Sequence, residues 1–271
     1  MIYFVIPVYN RIKNLERTIE GLARQTAPVD SFQVIVSDDG STDGSYELAM
    51  KLDRVDYVIK QSHAGCNISR VRNKGTRQVG KDCTYVWYID SDVILNPNAV
   101  AAFIELEKTF DEPLVVCGRY DWMPPMQLTT EAIFANFDKW VACEYPWLPG
   151  VSRNVPYGGI RAKDPTVRRR IDHRSVWNTG TFTVIPCSGA TLTGNLVVPI
   201  EAFREIAGFD ENIQGSGEDC DFGRNLGKHG YSMTSSEAII GYHQFHERDS
   251  RAATEHVKKT IAYMAEKYKG K

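Results

Sequence analysis

The 271-residue sequence has no stretch of about 18 apolar residues, the length that a membrane-spanning helix requires. Its first residues, "MIYFVIPVYN", have no Lys or Arg ahead of the apolar run and turn polar too soon for a signal peptide. We therefore expect a soluble cytoplasmic protein without a transmembrane segment.

Closely spaced cysteines are also absent. The six cysteines lie far apart and form no C-x-x-C pair, which argues against a zinc cage and a dense disulfide framework. Lys and Arg number 32 against 34 Asp and Glu, giving a net charge of −2, so no overall positive field favours nucleic acid as a partner. An anionic ligand would have to be bound by local positive charge.

The sequence does contain enough apolar residues for one large core. Apolar residues make up 42% and charged residues 24%, which are ordinary values for a folded domain. No internal repeat or linker divides the chain. We expect a single α/β domain, with or without a subdomain.

Strand and helix patterns alternate in the first part of the chain. Ile2–Val8 is a continuous apolar run, typical of a strand covered on both faces, and a helical pattern follows it with Asn10 as the predicted N-cap. This alternation predicts a doubly wound, mostly parallel sheet. It continues through "FQVIVSDDGSTDGS", "SYELAMKL", Val55–Lys60, Asn67–Val79, Tyr85–Ile89 and "NAVAAFIELEKTF".

The alternation then stops, since residues 119–180 show little periodicity. It resumes with a strand and short helix in "ATLTGNLVVPIEAFREIAGF", a helix in "GEDCDFGRNLGKHG" and an amphipathic C-terminal helix in "ATEHVKKTIAYMAEKYKGK".

Carboxylates follow two of the predicted strands. Asp38 and Asp39 end one strand, and Asp90 and Asp92 flank Ser91 at the end of another. Ligands of parallel sheets bind at this edge, and a carboxylate pair one residue apart can hold Mg²⁺ or Mn²⁺. The alternative is a turn whose Asp and Ser side chains bond their own backbone. Because two such pairs lie at the same edge, we favour the metal.

Three segments together resemble the nucleotide-binding half of the family-2 glycosyltransferases, which have the GT-A fold. They are "VIPVYNRIKNLERTIEGLARQT", "VIVSDDGSTDGS" and "YVWYIDSDV", and their order and spacing match across roughly the first hundred residues. The resemblance implies a Rossmann-like, mostly parallel sheet flanked by helices, in a single domain with an acceptor-side subdomain. It also implies that residues 1–118 form the nucleotide-sugar-binding half and residues 119–271 the acceptor-binding, catalytic half of one domain.

The resemblance also assigns roles to individual residues. Uracil is expected at Asp39, and the Asp90-Ser91-Asp92 motif is expected to hold Mn²⁺ or Mg²⁺ on the diphosphate. In "HAGCNISRVRNKG", Arg72 matches an arginine that lines the donor site, although Val71 replaces the usual Ala. The donor-binding loop after the first strand comprises Pro7, Val8, Tyr9, Asn10 and Arg11, of which Arg11 is alternatively a solvated residue at a helix start.

The C-terminal half resembles the acceptor-side segment of chondroitin polymerase and the β-1,4-galactosyltransferases. There a Gly-Glu-Asp motif at a helix start supplies the general base, which points here to Asp219, with Glu218 beside it. The alternative is that these acidic residues only complement the helix dipole. "YHQ" resembles a metal-binding segment, so His243 is the predicted third metal ligand, with His246 as the other candidate.

The resemblance implies a metal-dependent enzyme that transfers a sugar from a nucleotide-sugar, most simply a UDP-sugar, to a hydroxyl of a carbohydrate or glycoconjugate acceptor with inversion. A retaining enzyme of the same fold and a catalytically silent carbohydrate-binding or scaffold module are the alternatives. A nucleotidyltransferase would need a Gly-rich, Lys-containing signature that "PVYNRIKN" lacks. The basic segment 161–174 has three interpretations: a loop closing on diphosphate, a contact for an anionic acceptor or membrane surface, or a solvated charge run.

Overall fold

The computed structural model describes residues 1–123, 129–135, 137, 185–187, 189, 191–244 and 250–269. Its strands are β1 (Ile2–Val8), β2 (Phe32–Asp38), β3 (Tyr57–Lys60), β4 (Tyr85–Ile89), β5 (Val93–Leu95), β6 (Val115–Trp122), β7 (Ile185–Pro186), β8 (Asn195–Pro199) and β9 (Ser232–His243). Its α-helices are α1 (Ile12–Ala23), α2 (Ser45–Ala49), α3 (Ile68–Thr76), α4 (Ala99–Glu107), α5 (Thr130–Phe134), α6 (Ile200–Glu205), α7 (Glu218–Lys228) and α8 (Ser250–Lys267).

The strands form one mixed sheet in the order β3-β2-β1-β4-β8-β6-β9-β5, with β7 paired to β9. The first four strands are parallel, as the alternation predicts. Strands β4 and β8 pair antiparallel, and β6 pairs antiparallel with β8 but parallel with β9. The predicted mostly parallel sheet flanked by helices is therefore confirmed.

Helices cover both faces of the sheet, which explains why β1 and β4 are apolar along their whole length. On one face Phe4 stacks on Trp87 with ring centroids 4.8 Å apart, against α1 and α4. On the other face Tyr88 packs edge-on against Phe209 at 5.1 Å, beneath α6 and α7. Successive side chains of a strand point to opposite faces, so each central strand contributes to both cores.

The prediction that Asn10 caps α1 is wrong. The helix begins at Ile12 with Arg11 at the N-cap position, and Asn10 has a φ of 51°. Its Oδ1 instead accepts a hydrogen bond of 2.8 Å from the Thr42 backbone N–H. This contact joins the loops after β1 and β2, and a residue turned into the left-handed region for it cannot also cap the helix.

The prediction that regular elements stop at residue 119 is wrong for the first part of segment 119–180. Strand β6 continues to Trp122, and α5 follows at Thr130–Phe134. Strands β5, β6, β7 and β9 are all additions to the predicted elements. The predicted boundary at 118/119 falls inside β6, and the division into two halves stays a prediction. The basic segment 161–174 and His246 lie outside the described residues.

No helix in the described part of the chain is long and apolar enough to cross a membrane. The cytoplasmic location, a peripheral membrane contact and the absence of a nucleic-acid partner stay predictions.

Candidate active site

Two aspartates end β2, and they do different things. Asp38 is fully buried, and its Oδ1 accepts hydrogen bonds of 2.9 Å from the backbone N–H groups of Gly40 and Ser41. Asp38 therefore shapes the turn. Gly40 has a φ of +78°, and a Cβ there would lie 2.8 Å from the backbone nitrogen of His63, so this turn requires glycine.

Asp39 faces a cluster of side chains from the segment after β3. Its carboxylate accepts hydrogen bonds from Gln61 Nε2 at 2.8 Å and Arg70 Nη2 at 3.0 Å, and it contacts His63 Nδ1 at 2.7 Å. The His63 ring stacks on Tyr9, with centroids 4.0 Å apart and planes at 7°. A carboxylate beside an exposed aromatic face is an arrangement that can bind the edge and face of a nucleobase.

Sequence reasoning did not assign Gln61, His63 or Arg70 to the site. The available signal was their place in a polar segment directly after β3, since β3 is parallel to β2 and ends at the same edge. The register aligns Lys60 with Asp38, so the residues that follow the two strands meet.

The remaining residues of the loop after β1 connect it to the turn after β2. Pro7 and Val8 pair in register with Ser37 and Asp38 at the end of β1. The Arg11 backbone N–H donates to Ser45 Oγ at 3.1 Å. The loop is thus placed beside Asp39, while contacts of these residues with a donor stay predictions.

Arg72 joins two acidic motifs that lie far apart in the sequence. Its buried guanidinium donates from Nη2 to Asp90 Oδ1 at 2.7 Å and from Nη1 to Glu218 Oε1 at 2.9 Å. Burial alone would lower the pKa of Arg72, but attraction to the two carboxylates outweighs it and the pKa is raised. Arg72 therefore carries a permanent positive charge between the D-x-D segment and the start of α7.

The second aspartate of the D-x-D motif lies beside His243. Asp92 Oδ1 and His243 Nε2 are 3.5 Å apart, and both residues are buried. The pairing of β5 with β9 brings them together, because Val93 is in register with His243. Ser91 is buried between the aspartates, and its carbonyl accepts a hydrogen bond of 3.0 Å from Thr18.

Carboxylate oxygen and imidazole nitrogen are donors that suit Mn²⁺. Asp92 and His243 thus fit one side of a divalent-ion site, while Asp90 Oδ1 is bonded to Arg72. Among the described residues, no group of three or more His, Cys, Asp or Glu side chains is arranged to hold a metal. A metal here would have to complete its coordination with oxygens of a ligand or water.

Glu218 and Asp219 begin α7 behind Gly217, whose φ of +96° turns the chain into the helix. Burial raises the pKa of Glu218, against the attraction of Arg72. Burial also raises the pKa of Asp219, although the 2.7 Å hydrogen bond that the Cys220 N–H donates to its carboxylate acts to lower it. Within the described part of the chain, Glu218 is ion-paired and Asp219 is not, which leaves Asp219 the better placed to accept a proton.

The family model "Glycosyl transferase family 2" matches residues 3–143, which include the loop after β1, Asp39, Arg72 and the D-x-D motif. The chain belongs to glycosyl transferase family 2. The predicted resemblance is therefore confirmed.

Curated members of family 2 are similar over most of this chain. Validoxylamine A glucosyltransferase of Streptomyces hygroscopicus subsp. jinggangensis is 29% identical over 267 residues, covering 92% of this chain and 56% of that protein. Chondroitin synthase of Escherichia coli is 29% identical over 246 residues, covering 89% of this chain and 34% of that protein. The chain thus spans about half of the first relative and about a third of the second.

Solved structures share the GT-A fold with this family-2 chain. S. aureus TarS 1-349 in complex with UDP-GlcNAc aligns with a TM-score of 0.63 at 16% identity, covering 97% of this chain and 66% of that one. The mannosyltransferase PcManGT from Pyrobaculum calidifontis, in complex with GDP-Man and Mn²⁺, aligns with a TM-score of 0.61 at 13% identity, covering 98% and 64%. The predicted GT-A fold is confirmed.

Proposed function

We propose that this protein is a metal-dependent glycosyltransferase that moves a sugar from a UDP-sugar to a hydroxyl of a carbohydrate or glycoconjugate acceptor, with inversion. The contact of Arg72 with both Asp90 and Glu218 carries the proposal. It places the start of α7, which bears Asp219, beside the motif expected at the diphosphate. The nucleotide-sugar and the carboxylate that accepts a proton from the acceptor hydroxyl can therefore lie side by side.

The donor is proposed to bind along the edge from Asp39 to Asp92. A base N–H would donate to the Asp39 carboxylate, replacing one of its present donors, and the ring of Tyr9 offers a face for stacking. TarS, which was solved with UDP-GlcNAc, supports a UDP-sugar by analogy. Uracil and guanine both present such an N–H, so the comparison of UDP with GDP affinity is part of the test.

Asp92 and His243 are proposed to hold Mn²⁺ or Mg²⁺, with Asp90 as the further carboxylate of the motif. When bound, such an ion stabilises the negative charge that develops on the departing diphosphate. PcManGT, solved with Mn²⁺, supports a metal in this fold by analogy.

Asp219 is proposed to be the general base. Its carboxylate takes the proton of the acceptor hydroxyl, the hydroxyl oxygen forms a bond to the anomeric carbon, and the bond to the diphosphate oxygen breaks with its electron pair leaving on UDP. A raised pKa makes a carboxylate a stronger base near neutral pH. The carboxylate must be ionised to act, so turnover should rise as pH increases through that pKa.

The test measures UDP release from UDP-N-acetylglucosamine and UDP-glucose with added Mn²⁺. Asp219→Asn should lower turnover about 10²–10⁴-fold, the usual contribution of a general base. UDP affinity by calorimetry should stay within about twofold, because Asn keeps the shape of Asp and residue 219 is not among the proposed donor-binding residues. Asp53→Asn, at an exposed turn, is the matched control and should behave like the wild type.

Turnover of Asp219→Asn within a few-fold of wild type would refute the base assignment, and a loss confined to Glu218→Gln would transfer the role to Glu218. Absence of Mn²⁺-dependent turnover with every nucleotide-sugar would favour the silent module. Proton NMR of the newly released sugar, before it mutarotates, distinguishes inversion from retention.

A further inference from the structure

The segment that bears the proposed base is held from two sides. On the donor side, Asn73 Nδ2 donates to the Phe209 carbonyl at 2.9 Å, and the Phe209 N–H donates back to Asn73 Oδ1 at 2.9 Å. The Gly215 N–H also donates to the Cys66 carbonyl at 2.8 Å. These contacts tie residues 209–215 to α3 and to the loop before it, and the Arg72–Glu218 pair ties the first residue of α7 to α3.

The second side is the C-terminal helix α8. Lys267 Nζ lies 2.6 Å from Asp210 Oδ2 and 2.8 Å from Asp221 Oδ1. Tyr268 donates to Asp221 Oδ1 at 2.6 Å, and Tyr263 donates to Asp210 Oδ2 at 2.8 Å. One ammonium group therefore connects the loop before α7 with the first turn of α7.

Asp221 and Asp219 lie on different sides of α7. Residues two apart in an α-helix are roughly 200° apart around its axis. Asp221 is 2% exposed and faces α8, whereas Asp219 lies on the other side of the helix, next to Glu218, which is bonded to Arg72. The first turn of α7, which bears Asp219, is thus held by Arg72 at Glu218 and by Lys267 and Tyr268 at Asp221.

Lys267 supplies the positive charge that pairs with both carboxylates of this cluster. Burial would raise the pKa of Asp210, but hydrogen bonds from Lys267, Asn212 and Tyr263 together outweigh it and the pKa is about 2. Burial would lower the pKa of Lys267, but Asp210 and Asp221 together raise it. Without the ammonium, two neighbouring carboxylates, one of them buried, would lose the cation that pairs with both of them in the described part of the chain.

We propose that Lys267 is a positioning residue of the transfer reaction, which through Asp221 sets the placement of Asp219 at the donor's anomeric carbon. The proposal rests on the proposed function, since it takes Asp219 as the base. Tyr268 supports the same placement by its bond to Asp221.

The test compares Lys267→Met with Lys269→Met, a matched control whose lysine is exposed just after the end of α8 and pairs with Glu266 at 3.5 Å. The measurements are kcat and KM for UDP release from UDP-N-acetylglucosamine and UDP-glucose, together with the affinity and stoichiometry of UDP by calorimetry. The stoichiometry gives the fraction of correctly folded protein.

A misplacement on the order of 1 Å can cost about 10²-fold in rate, so Lys267→Met should lower kcat per UDP-binding site by about 10–100-fold. KM and UDP affinity should stay within about twofold, because the donor pocket is built from β1, β2 and the segment after β3. Lys267→Arg should restore kcat to within a few-fold, since a guanidinium can bond both carboxylates. Lys269→Met should equal the wild type.

A kcat of Lys267→Met within twofold of wild type would overturn the proposal, as would a parallel loss of UDP affinity. If that variant does not fold, Tyr268→Phe carries the test: a several-fold loss of kcat at unchanged KM supports the proposal, and unchanged kcat refutes it. Asp219→Asn distinguishes failure of the base assignment from failure of the positioning role of Lys267. If it is active, the proposed base fails; if it is inactive while Lys267→Met is normal, only the present proposal fails.

Discussion

Replacing Arg72 by methionine should be among the most damaging single changes in the described part of this protein. The side chain of Arg72 is 2% exposed, and its partners Asp90 and Glu218 are 32% and 12% exposed. Methionine fills much of the same space but removes the charge. Glu218 would then be a buried carboxylate without its cation.

Removing one partner of a buried ion pair costs about 3–5 kcal/mol. Asp90 retains contact with water, so we expect the lower end, about 3 kcal/mol. A change of 1 kcal/mol shifts the melting temperature of a domain of this size by about 2–4 °C, so Arg72→Met should melt about 6–12 °C lower.

The pH dependence follows from Glu218. Its pKa in the folded protein is already raised by burial, and loss of Arg72 would raise it further. A group with a raised folded-state pKa favours folding at low pH and opposes it as pH increases through that pKa. The deficit of Arg72→Met should therefore be larger at pH 8 than at pH 5.

Thermal unfolding followed by circular dichroism measures this effect. Arg77→Met is the matched control. Arg77 lies just after α3, the helix that contains Arg72, is 61% exposed and pairs with Glu211 at 3.3 Å. Such surface pairs contribute about 0–1 kcal/mol. If Arg72→Met melted within 2 °C of the control, or if its deficit were independent of pH, the reasoning from the buried triad would be refuted.

Three further predictions concern the donor side. Asp92→Ala should lower Mn²⁺-dependent UDP release at least about 10²-fold with an unchanged circular dichroism spectrum, since the carboxylate is the proposed metal ligand; a folded variant with near-wild-type turnover would contradict the metal site. Asp39→Ala should weaken UDP binding about ten- to hundredfold in calorimetry, from the loss of a charged hydrogen bond of about 1.5–3 kcal/mol, whereas unchanged affinity would remove Asp39 from the base site. Gly40→Ala should cost about 1–3 kcal/mol more than Gly65→Ala in denaturant unfolding. Both glycines have a positive φ, but a Cβ meets the backbone of His63 only at Gly40, so equal costs would contradict the packing argument.

Much of the fold on the donor side could be predicted because its signals are local. Buried parallel strands are continuously apolar, and Ile2–Val8 and Tyr85–Ile89 have the predicted bounds. The three-residue strand β5 is too short for any periodicity, and β9 begins with a polar stretch, so neither shows a strand pattern. Their pairing, which places His243 beside Asp92, is a long-range event.

The candidate site also has one part that the sequence could predict and one part that it could not. The sequence could predict that Asp39, Asp90 and Asp92 lie at one edge, because parallel strands end together. It could not predict that Arg72 lies between Asp90 and Glu218, since the choice among the basic residues of "SRVRNKG" depends on which side of α3 faces the sheet edge.

By itself the sequence determined which residue types follow each strand and helix start, because backbone preference and apolar periodicity act over a few neighbouring residues. Only the tertiary structure decided their partners. Arg72 and Glu218 are 146 positions apart, and Asp221 and Lys267 are 46 apart. A buried charge takes whichever counter-charge the packed elements bring within about 3 Å, and that distance is set by the packing of the whole sheet and its helices.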